Sequence, residues 1–154
     1  MSVKTKALSE KLAHVTRFDP LIVQENCTVK EALARMRAGQ KPVLLVCKGK
    51  KLVGIFTERD YLMKVVGRAK PSDPLRDYMT ADPVTGSMDE TLGEAIEVMN
   101  AKRLRNLPLV DKAGVPACVV TVMSVIQYLA GHFPAAVVNR PPQPHVFSEE
   151  MDGA

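Results

Sequence analysis

The chain has 154 residues, a formal charge of +4, and 46% hydrophobic and 25% charged residues. That length holds one ordinary domain or two very small ones sharing a core, and no apolar run approaches the roughly 20 residues of a membrane span. The basic residues, among them Lys4, Lys6, Lys11, Arg35, Arg37 and Lys41, are scattered rather than interleaved with aromatics, which favours a solvated face over a nucleic-acid footprint and also suits a small phosphate ligand.

Leu8, Leu12 and Val15 predict a leading amphipathic helix over Thr5 to about His14. Pro20-Leu21-Ile22-Val23 follows as a short β-prone stretch. Thr28-x-x-Glu31 is a capping box, in which side chains at a helix start satisfy unpaired backbone N–H groups. Val29, Ala32, Leu33 and Met36 then form one apolar stripe. Pro42 to Val46 predicts a strand, Lys48-Gly49-Lys50 a turn, and Leu52 to Phe56 a second strand. Short continuous apolar runs of this kind suit strands covered on both faces. A helix from Glu58 to about Val66 closes the unit. Pro71, Pro74 and Pro83 bound a linker crossed by one short helical turn.

The same order then recurs. Pro83-Val84-Thr85 is β-prone, and Thr91-x-x-Glu94 is a second capping box, 63 positions after the first. Leu92, Ala95, Ile96 and Met99 repeat the apolar stripe. Strands over Leu107 to Val110 and Ala117 to Val120 flank the turn Asp111 to Gly114, and a helix runs from Ser124 to about Ala130. The chain is therefore predicted to be α/β, with two βαββα repeats packed sheet to sheet, because one repeat of about 50 residues is near the limit for an independent core. The divisions are residues 1–14, an N-terminal helix; 15–70, the first repeat; 71–131, linker and second repeat; and 132–154, an extended Pro-rich tail. The tail's Val137, Val138, Val146 and Phe147 suit a place on another surface, of this chain or of a partner.

Cys27, Cys47 and Cys118 are odd in number, widely spaced and set among apolar neighbours. Buried thiols are expected rather than disulfides or metal ligands. With no apolar segment behind Met1-Ser2-Val3-Lys4, a cytoplasmic setting is expected. His14, His132 and His145 lack ligand spacing and are expected as surface or cap residues. Met36, Met63, Met79, Met88, Met99 and Met123 are expected to fill the core. No serine has a nucleophile-elbow context and no Gly-rich phosphate loop exists.

The chemistry concentrates where the third strand of each repeat meets its last helix. In Gly54-Ile55-Phe56-Thr57-Glu58-Arg59-Asp60, Thr57 and Asp60 fit a helix cap and its carboxylate partner. The same junction favours a phosphate through exposed N–H groups. Its carboxylate can accept two ribose hydroxyls, and Gly54 would let a flat base approach the backbone. The equivalent stretch, Cys118 to Ser124, keeps threonine as Thr121 but replaces aspartate with Ser124, a weaker acceptor.

These stretches, with Leu75-Arg76-Asp77-Tyr78-Met79-Thr80-Ala81-Asp82-Pro83 and Arg105-Asn106-Leu107-Pro108, resemble the tandem CBS (cystathionine β-synthase) domain family over residues from about 15 to 131. The resemblance implies a pseudo-twofold axis and two clefts that take AMP, ADP, ATP, S-adenosylmethionine or a related ligand, with no catalysis. It implies that Asp60 holds ribose and Thr57 a ribose hydroxyl or phosphate oxygen. Ile55 and Val84 flank adenine, Leu107 adds a wall, and Arg59, Arg105 and Asn106 face phosphate. Asn106 departs from the family's basic or histidine residue. A second, weaker cleft would use Lys41, Thr121 and Ser124. The resemblance also implies a homodimer and leaves room for a separate regulated protein. The rival expectations are a structural module without ligand and a nucleic-acid-binding protein.

Overall fold

The computed structural model describes residues 2–15 and 18–132. It opens with helix α1, Val3–Leu8, whose N-cap Ser2 accepts the Thr5 N–H. The helix expected to reach His14 stops here. Lys11 is extended and Leu12–His14 forms a separate 3-10 turn. The reason is long-range. Leu12 N–H donates to the Glu90 carbonyl at 2.8 Å, Ala13 N–H to Met88 at 3.2 Å, and Leu92 N–H back to Glu10 at 2.8 Å. Backbone groups that would have continued α1 are instead used on the second repeat.

The first repeat contains β1 (Ile22–Gln24), α2 (Val29–Gly39), β2 (Val43–Lys48), β3 (Lys51–Thr57) and α3 (Glu58–Asp60), which runs into a π-helical turn over Tyr61–Val65. A 3-10 turn, Leu75–Asp77, and the two-residue strand β4, Thr80–Ala81, cross to the second repeat. That repeat holds α4 (Leu92–Lys102), β5 (Asn106–Val110), β6 (Pro116–Thr121) and α5 (Val122–His132). β1 is parallel to β2, whereas β2–β3, β3–β4 and β5–β6 are antiparallel. The β-prone stretch Pro83 to Thr85 forms no strand; its neighbour Gly86 makes a parallel bridge to Leu109.

Both capping boxes form. Thr28 and Glu31 exchange bonds of 2.9 and 3.1 Å, and Thr91 and Glu94 bonds of 2.9 and 3.2 Å. α2 and α4 also end alike, on Gln40 and Arg103 in left-handed backbone with φ of 51° and 54°. The register irregularities match as well, at Val46/Cys47 and Leu109/Val110. The repeat is thus conserved down to its caps and bulges.

Each repeat is completed by a segment that precedes the other. Leu12 and Val15 are buried in the second repeat's core with Leu92, Leu107, Leu109 and Val120. Leu75 is buried in the first repeat's core with Val29, Leu44, Val46 and Phe56. The backbone contacts are parallel in kind: Leu75 N–H donates to Cys27 and Val29 N–H to Asp73, as Leu12 does to Glu90 and Leu92 to Glu10. Strand edges are exchanged too. β4 pairs with β3, and Phe18 exchanges two 3.2 Å hydrogen bonds with Val119 of β6. Between the sheets, Val43, Leu45, Ile55 and Val119 form a third cluster.

Two expectations about side chains change. Met63 and Met123 are exposed, at 63% and 57%, because they lie on the outer faces of the repeats' last helices; Met99 is buried. Cys47 and Cys118 are buried, whereas Cys27 is half-buried. Among the described residues no helix is long and apolar enough to cross a membrane. The tail from residue 133, His145 included, lies outside the described residues.

Candidate functional site

β3 runs from the inter-repeat seam straight into α3, so its last residue, Thr57, becomes the N-cap. Thr57 Oγ1 accepts the Asp60 N–H, and Asp60 Oδ2 accepts the Thr57 N–H at 2.9 Å and its hydroxyl at 3.0 Å. The other carboxylate oxygen, Oδ1, accepts the Thr80 hydroxyl at 2.9 Å and stands 2.8 Å from Lys64 Nζ. Thr80 belongs to β4, so one carboxylate ties a helix start to the strand that crosses between repeats.

Asp60 is only 7% exposed. Burial alone would push its pKa up, but Lys64, the Thr57 N–H and Thr80 together outweigh that and hold it below the usual carboxylate range. The result is a buried, ionised acceptor at the head of a short helix.

Gly54 has a different role from the one expected. A Cβ there would lie 2.3 Å from Met79 Sδ and 3.0 Å from its Cγ. The space beside the backbone is filled by Met79, which arrives with β4, and not kept open for a base.

The remaining expected residues are distributed around both junctions. Ile55 pairs with Thr80 across β3–β4 and is buried in the seam between sheets. Arg59 is exposed on α3, and Val84 is 38% exposed. Leu107 has no exposed surface and belongs to the second core, so it lines no open wall in this structure. Asn106 pairs with Thr121, and the Arg105 carbonyl accepts the Val122 N–H at 3.0 Å. Their backbone therefore sits at the second repeat's strand–helix junction.

That second junction contains no carboxylate. Ser124 Oγ accepts the Thr121 N–H at 2.8 Å and donates to the Thr121 carbonyl at 2.8 Å, while its own N–H reaches Thr121 Oγ1 at 2.9 Å. Ser124 is fully buried, so its hydroxyl is used by its own helix cap. Lys41 donates to the Asp19 carbonyl, one residue from the Phe18–Val119 bridge. It also borders an open groove of about 610 Å³ with Arg37, Gln40, Glu58 and Tyr61. A second groove of about 660 Å³ lies along β1 and α2, beside Cys27, Glu31 and Arg35. Neither groove is lined by Asp60.

Two site residues escaped the sequence reading. Lys64 had an available signal, since it stands one helical turn after Asp60. Thr80 had none, because its contact depends on the pairing of β4 with β3.

Among the described residues no cluster of His, Cys, Asp and Glu could hold a metal ion. His14 instead contacts Glu10 at 2.7 Å, and His132 stacks on Tyr128.

Comparison with known proteins places this architecture. An uncharacterized protein of Methanopyrus kandleri is 33% identical over 122 residues, 77% of this chain, and the chain spans 62% of that relative's length. A CBS domain protein from Pyrobaculum aerophilum, solved in complex with AMP, superposes with a TM-score of 0.69 at 19% identity, covering 82% of this chain and 94% of that one. The CBS domain pair of protein MJ0100, solved with 5′-methylthioadenosine and S-adenosyl-L-methionine, gives 0.64 at 22% identity, covering 70% and 89%. The family model for the CBS domain matches twice, over residues 12–67 and 75–131. With its two interlocked repeats and both matches, the chain belongs to the CBS-domain family as a tandem pair.

Proposed function

We infer that the chain is a non-catalytic regulatory module that binds an adenosine-containing ligand, AMP, ADP, ATP or S-adenosylmethionine, between its two repeats. The observation that carries this reading is Asp60, a buried ionised carboxylate bonded to the inter-repeat strand. Such a group is acceptor-only and suits the paired hydroxyls of ribose. The AMP and S-adenosyl-L-methionine complexes of the similar folds support the ligand class. In this reading Thr57 and Asp60 hold the ribose, Ile55 and Val84 flank the base, and Arg59, Arg105 and Asn106 face phosphate, with Leu107 backing the pocket. The site of Lys41, Thr121 and Ser124 is weaker, since it lacks the acid.

The output is a shift between two arrangements of the repeats, bounded by the ligand's differential affinity for them. It passes to a second copy or to a separate partner. A homodimer is supported by the apolar side chains on the outer faces of the last helices: Leu62, Met63, Val66, Val122, Met123 and Ile126 are 44% to 67% exposed.

One observation favours a ligand-free interaction module instead: both oxygens of Asp60 already have two partners within the chain. Titration calorimetry with AMP, ATP and S-adenosylmethionine separates the two readings. The regulatory reading expects heat with at least one ligand and about tenfold weaker binding in Asp60→Asn. No heat with any of the three leaves only the interaction module.

A further inference from the structure

An ionised carboxylate offers about four lone-pair positions. In Asp60 all four are taken, and they are not equivalent. The two on Oδ2 receive the Thr57 N–H and hydroxyl, which are local bonds that close the α3 cap. The two on Oδ1 receive Thr80 Oγ1 at 2.9 Å and Lys64 Nζ at 2.8 Å. An incoming ribose hydroxyl must therefore displace one of these four, and the two on Oδ1 are the partners outside the cap. Thr80 is fixed by backbone pairing with Ile55. Lys64 is held by its side chain alone, with 42% of that side chain exposed, and its Nζ also lies 3.3 Å from Thr80 Oγ1. Of the two it is the one that leaves with little backbone movement, since a long flexible stem carries its charge into water.

We propose that Lys64 is a specificity-determining internal competitor: its ammonium occupies the ribose position on Asp60 and must leave before any adenosine ligand binds. The inference rests on the ribose-binding reading of Asp60 given above. It follows that the protein binds a neutral nucleoside more weakly than the carboxylate alone would allow. A ligand bearing an anionic group returns an acceptor to the displaced ammonium, so the competitor discriminates against uncharged adenosine.

Adenosine is the probe that isolates this effect, because it has no phosphate for Lys64 to attract. Calorimetry of wild type, Lys64→Met and Lys64→Arg with adenosine reads it directly, with thermal melting to confirm that each variant is folded. Loss of a half-exposed ion pair predicts about two- to fivefold tighter adenosine binding in Lys64→Met. Lys64→Arg retains the competitor and binds no more tightly than wild type. Binding by Lys64→Met where wild type shows none also supports the proposal. Unchanged or weaker binding in folded Lys64→Met, with wild type binding, overturns the competitor and leaves the ribose site standing. Absence of adenosine and AMP binding in wild type and in Lys64→Met overturns both.

Discussion

Asp60 does two jobs that a sequence cannot separate. It completes the Thr57 capping pair of α3 and places an ionised carboxylate beside β4. Replacing it by alanine removes its half of the reciprocal capping pair as well as the charge, so asparagine is the cleaner probe. Acid titration gives a second handle. Because the folded pKa is depressed, the stability Asp60 contributes is fully present above its ordinary value of 3.8. It is lost as pH falls through the lower folded value. Thermal melts across the acid range should therefore show a shallower loss in Asp60→Asn than in wild type. Gly54 makes a separate prediction. Gly54→Ala overpacks against Met79 and should lower stability by about 1–3 kcal/mol. Met79→Ala should relieve part of that loss in the double variant, a coupling visible as non-additive denaturant midpoints. At this scale the sequence made the capping pairs readable, since Thr-x-x-Glu and Thr-x-x-Asp are local spacings. It could not show that Met79 fills the space beside Gly54, because that contact exists only once β3 and β4 pair.

Among the elements, the crossing of the two leading segments is the main departure from the linear reading. Helical spacing predicted one helix to His14, yet Leu12 N–H and Ala13 N–H bond to the second repeat. Local periodicity cannot anticipate a donor satisfied 78 residues away, as the Lys11 ammonium is by the Asp89 carbonyl. The repeat spacing, by contrast, was legible: the two capping boxes, the two strand pairs and the closing helices all stand where the apolar stripes put them. The crossing has a measurable consequence. Leu12→Ala leaves a cavity in the second repeat, and Leu75→Ala one in the first, each costing about 2–5 kcal/mol. Hydrogen exchange should lose protection in β5 and β6 with Leu12→Ala, and in β2 and β3 with Leu75→Ala. Loss confined to the element next in sequence would contradict the interlocked packing.

At the scale of the whole molecule, two sets of apolar side chains remain on the outer helices, Leu62, Met63 and Val66 on one and Val122, Met123 and Ile126 on the other. A two-copy assembly joined there would cover both. Met123→Lys combined with Leu62→Lys should then shift the light-scattering mass to that of one chain while leaving the helical circular dichroism intact. The ligand class is an expectation from family resemblance and one junction, and the geometry adds why binding there would be felt across the molecule. The carboxylate that would take the ribose is already bonded to the inter-repeat strand. The most direct test is a crystal structure of the chain with AMP. We predict a ribose hydroxyl on Asp60 Oδ1 in the place of Lys64, which is displaced. A nucleotide bound elsewhere, with the Asp60–Lys64 pair intact, would contradict it.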